Sequence, residues 1–77
     1  MPFSLFDAEY VVRYLIVSTI LKVNVLTPTE LKKAQEIYDS APVDMIKKFT
    51  DLYSNDKHTC SISQENIQQV KRILATI

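Results

Sequence analysis

Leu26-Thr27-Pro28-Thr29-Glu30-Leu31 and Ile62-Ser63-Gln64-Glu65-Asn66-Ile67 carry one pattern 36 residues apart: an apolar residue, a hydroxyl, then a second apolar residue four positions beyond the hydroxyl. In both, the hydroxyl suits a helix N-cap, because its oxygen can accept a backbone N–H that the first helical turn leaves unpaired. Pro28 fits the first helical position, where a missing N–H is harmless, and Glu30 can reach back to close a capping box. The pattern predicts a helix from Pro28 to about Ser40. In the second copy Ile62 and Ile67 are spaced as a hydrophobic staple around Ser63.

The same shift extends outward. Tyr10 falls on Ile46, Val17 on Tyr53 and Ser18 on Ser54, while Leu31, Ile37 and Tyr38 fall on Ile67, Ile73 and Leu74. Each half therefore reads as helix, loop, one extended residue and hydroxyl-capped helix, in units of about 4–40 and 43–77. Ser4 with Asp7 opens the first helix, whose apolar positions Tyr10, Val11, Tyr14, Leu15 and Ser18 recur at helical spacing and which fades between Ser18 and Lys22. Val23 to Leu26 reads as a short extended piece. Pro42 stops the second helix and permits a third from about Val43 to Tyr53, with Met45, Ile46, Phe49 and Tyr53 on one side. Ser54 to Ser61 is polar and helix-poor, hence a loop. The fourth helix has Ile67, Val70, Ile73, Leu74 and Ile77 as its stripe. It meets the last residue with no stop signal, as expected for the N-terminal lobe of a longer chain.

Composition narrows the function. Seventy-seven residues support one hydrophobic core. Nine basic and nine acidic side chains cancel, so no basic field is present to hold a phosphate backbone, and nucleic acid is not an expected partner. With no glycine, phosphate-cradling loops and dinucleotide fingerprints are excluded. The single cysteine, Cys60, cannot form an internal bridge, and this points to a reducing, intracellular compartment, cytoplasmic or cytoskeleton-associated. The N-terminus lacks the positive patch of a signal peptide. Arg13 and Lys22 interrupt the apolar run from Val11 to Val25, which reads as a buried helix and not a membrane span.

The repeated unit resembles the EF-hand, and two in tandem resemble one lobe of the calmodulin and myosin light-chain family, over nearly the whole chain from about Phe6 to Ile77. The resemblance implies an all-α lobe of four main helices, with Leu26 and Ile62 side by side as a very short antiparallel β bridge between the loops. It implies no calcium site, however, because a calcium loop supplies oxygens from alternate positions, turns on glycine and closes with a bidentate glutamate. The first loop offers Ile20, Leu21, Val23 and Val25 where oxygens are needed, although Glu30 occupies the last ligand place. The second has oxygens at Asn55, Asp56, Thr59, Ser61 and Ser63, but Lys57 intrudes, no glycine bends it, and Asn66 replaces the closing glutamate. No cofactor is expected.

A lobe of this kind cannot be a calcium-triggered switch. The family resemblance implies a permanent clamp on an amphipathic helix, the neck of a myosin heavy chain, with the essential light chains of short gliding-type myosins as the nearest comparison. It implies a partner groove drawing on Ile16, Ala34, Tyr38, Met45, Phe49, Val70 and Leu74. Independently, so many apolar residues are hard to hide in a chain this short, and an exposed apolar patch marks a binding surface. The chemistry of a catalyst is missing: His58 and Cys60 have no further ligands or base, and Asp39/Asp44 and Asp51/Asp56 read as solvated helix-end acids. Lys32-Lys33, Lys47-Lys48 and Lys71-Arg72 read as polar faces, and Tyr10, Tyr14, Tyr38 and Tyr53 as core residues with hydroxyls at the rim. No enzymatic activity is expected. The alternative is a small helical regulator that blocks a protein partner with one hydrophobic helix face. A helix-turn-helix DNA reader suits the neutral charge poorly.

Overall fold

The computed structural model describes residues 4–54 and 60–77, and within them the chain is all helical. α1 spans Leu5–Leu21, α2 Pro28–Ser40, α3 Val43–Ser54 and α4 Gln64–Ala75. Each boundary has a local cause. Ser4 Oγ accepts the Asp7 N–H at 3.1 Å and Ser63 Oγ accepts the Asn66 N–H at 3.1 Å. At Thr27 the capping box is complete: Thr27 Oγ1 accepts the Glu30 N–H at 3.2 Å, and Glu30 Oε1 accepts the Thr27 N–H at 2.9 Å. Ala41 is extended ahead of Pro42, as a residue before proline prefers, and that ends α2.

α1 is the hub. It packs against each of the other three helices, and α2 also packs against α4. Three neighbours explain why α1 is buried beyond the single stripe its periodicity suggested, with Val12 and Val17 enclosed as well as Val11, Tyr14 and Leu15. The central cluster joins Ala8, Val11, Tyr14 and Leu15 of α1 to Ala34 and Ile37 of α2 and to Ile67, Val70, Ile73 and Leu74 of α4, with Leu26 from the first loop.

No strand or bridge occurs among the described residues. Leu26 and Ile62 both pack on the central cluster, Leu26 buried and Ile62 partly so. The expected bridge between them fails for a visible reason. Asn24 Oδ1 accepts the Leu26 N–H at 3.1 Å, and the Tyr14 hydroxyl accepts the Val25 N–H at 3.3 Å, so the loop's donors are bonded within its own half.

Candidate functional site

Because α2 and α3 flank α1 without a comparable interface with one another, an open groove of about 640 Å³ remains over the C-terminal half of α1. Leu15, Ile16 and Ile20 of α1 and Tyr38 of α2 give it apolar walls, and Thr19, Gln35, Thr50 and Ser54 give it a neutral polar rim. No lining residue carries a charge. The rim hydroxyls of Thr19 and Ser54 donate within their own helices, to the Leu15 carbonyl at 2.8 Å and the Asp51 carbonyl at 3.4 Å. An apolar guest can therefore enter without stranding those donors, and neither an anion nor a cation finds a partner inside.

Of the residues expected in a partner groove, Ile16 and Tyr38 line this one. Ala34 and Val70 are 0 % exposed and Leu74 is 1 % exposed, so their side chains belong to the chain's own core and offer no surface to a partner. Met45 packs at the edge of that core. Phe49 is buried and borders a different, smaller depression shared with Phe6, Tyr10 and Arg13. The helical stripe of α4 announces a buried face, but periodicity does not say whether its own chain or another covers it. Leu15, Thr19, Ile20, Gln35, Thr50 and Ser54 were missed as groove residues, since only the placement of α2 and α3 on either side of α1 brings them together.

Several charged side chains outside the groove's lining serve the scaffold. Lys71 Nζ meets Glu30 Oε1 at 3.2 Å and Lys33 Nζ donates to the Leu74 carbonyl at 3.4 Å, so two lysines read as polar-face residues tie α2 to α4. The Thr27 N–H, seconded by Lys71, holds the Glu30 carboxyl below the ordinary glutamate range, against a smaller opposing effect of burial. Lys47 is raised by its 2.7 Å hydrogen bond and ion pair with Asp51, one turn along α3. Arg13 lies 5.9 Å from the Tyr53 ring centre and joins α1 to α3. Tyr14 is the most buried tyrosine, with its hydroxyl bonded to the first loop; Tyr10 and Tyr38 border the core.

Among the described residues no three His, Cys, Asp or Glu side chains gather where they could hold a metal ion. Asn55, Asp56, Lys57, His58 and Thr59, which carry most of the reading of the second loop, lie outside the described residues. Cys60 is buried, with its thiol 3.7 Å from the Tyr53 carbonyl. No described helix is long and apolar enough to cross a membrane. No protein-family model, curated protein or solved structure matches the chain.

Proposed function

We propose that this domain is a non-catalytic, calcium-independent binding module that clamps an amphipathic helix of a protein partner, as an essential light-chain lobe clamps the neck of a myosin heavy chain. One observation carries the reading: an open, uncharged, largely apolar groove over α1 in which the Thr19 and Ser54 hydroxyls are already bonded within their own helices. Apolar side chains spaced along one helix face can seat on such a surface, and burying them drives association. A small-molecule pocket of comparable volume would enclose most of its ligand, whereas this groove is open to solvent. The EF-hand-like pairing of the two helix–loop–helix units belongs to this proposal and rests on the repeated sequence pattern.

Titration calorimetry with a myosin-neck helical peptide of about 20 residues tests it; saturable binding with a negative heat-capacity change, equal in calcium and in chelator, is expected. Absence of binding overturns the clamp, and capture of a globular partner by a chain that ignores the peptide favours the helical regulator. Steep calcium dependence overturns calcium independence and directs attention to the second loop.

A further inference from the structure

α3 is fastened differently from the other helices. The central cluster is built from α1, α2, α4 and Leu26, and no buried residue of α3 belongs to it; Met45 reaches only its edge. Phe49 is the one buried side chain of α3. Among the described residues α3 packs mainly on α1, over an interface as extensive as that between α1 and α2, while α2 and α4 hold each other as well as α1. At its C-terminal turn the Arg13 guanidinium lies near the Tyr53 ring and the Cys60 thiol at the Tyr53 carbonyl. Its N-terminus follows Ala41-Pro42, where the backbone is extended and the α2 hydrogen-bond ladder has ended.

The free energy of a local opening rises with the apolar surface it exposes, and segments with few buried contacts open without unfolding the rest. Thr50 and Ser54 of this helix, anchored mainly on α1 alone, form one side of the groove. We propose that α3 is the movable wall of the groove: it lifts from α1 as a unit about Ala41-Pro42 while α1, α2 and α4 stay packed, and so sets how wide a helix the groove admits. The motion stands on packing alone; its role in admitting a ligand rests on the helix-binding reading above.

Native-state hydrogen exchange on the free protein decides the motion. Amides of α3 are expected to exchange about tenfold or more faster than those at the centre of α1, with a shallower denaturant dependence. Phe49→Ala then accelerates α3 alone, whereas Leu74→Ala accelerates all four helices together. Equal rates and a shared denaturant dependence across α1 and α3 in the wild-type protein overturn the proposal, as does a Phe49→Ala effect spread evenly over the molecule. A bound helical peptide should slow α3 more than α2 or α4. A peptide that binds and leaves α3 exchange unchanged removes the gating role, while a peptide that fails to bind counts against the clamp and leaves the free-protein result to judge the motion.

Discussion

The backbone of Lys22 sits at φ 57°, ψ 42°, the left-handed turn with which α1 ends, and its N–H donates to the Ser18 carbonyl. A Cβ in that region costs about 1–2 kcal/mol, and helices usually place glycine there. This chain has no glycine to place. Lys22→Gly should therefore stabilise the domain by roughly 0.5–1 kcal/mol, after the extra freedom glycine gives the unfolded chain is subtracted, and urea denaturation reads it directly. Thr27 works in the opposite sense: Thr27→Ala removes one half of a complete capping box and should cost about 1 kcal/mol. Glu30, the other half, adds a pH dependence. Its folded-state pKa lies below its unfolded value, so its contribution is fully present above about pH 4.5 and is lost as the pH falls through the lowered folded value. Denaturation midpoints measured from pH 7 to pH 3 should fall less steeply in Glu30→Gln than in the wild-type chain; parallel profiles would show that the Thr27 and Lys71 contacts do not form in solution.

At the scale of elements, the helices were legible because their ends are written in side chains. Thr27 before Pro28, Pro42 after Ser40, and Ser63 before Gln64 each place a boundary within one residue. The loop between α1 and α2 was not legible in the same way. Its residues have strand propensity, but propensity cannot reveal that Asn24 takes the Leu26 N–H, the donor a bridge to Ile62 would use, or that the Tyr14 hydroxyl ties down the neighbouring Val25 N–H. The ties between α2 and α4 were equally hidden, since Lys71 and Glu30 are 41 residues apart, the lysine reads as part of a polar face and the glutamate as a capping residue of its own helix. The contrast between Leu74 and Phe49 follows from the same packing. Leu74→Ala opens a cavity in the cluster that three helices share and should cost about 2–5 kcal/mol. A chain of this length has a total of roughly 4–12 kcal/mol, so the loss is a large share of the whole and should appear as a marked fall in the urea midpoint.

For the molecule as a whole, function turns on a division of apolar surface that sequence reading could only half resolve. Ile16 and Tyr38 face the groove, whereas Ala34, Val70 and Leu74, read from the same kind of helical spacing, complete the core. A stripe records that something covers it; only the arrangement of helices decides whether the cover is internal. Where α2 and α3 stand apart, that arrangement leaves a stretch of the C-terminal half of α1 open, and the lining of this stretch carries no charge. Ile20 gives the sharpest test of whether this portion is the binding surface, because it lines the groove and stands outside the central cluster. In Ile20→Asp the carboxylate would have to shed water against Leu15, Ile16 and Tyr38 on complex formation, with no cation in the groove to receive it. Affinity for the helical peptide should fall about tenfold or more while the far-ultraviolet spectrum stays unchanged. Val43→Asp is the matched control: Val43 is 79 % exposed at the first residue of α3, away from the groove, where an acidic side chain suits the helix N-terminus and should leave binding unaltered. If both substitutions weaken binding equally, the peptide is held by its general charge and not by this groove; if neither does, it binds elsewhere on the molecule.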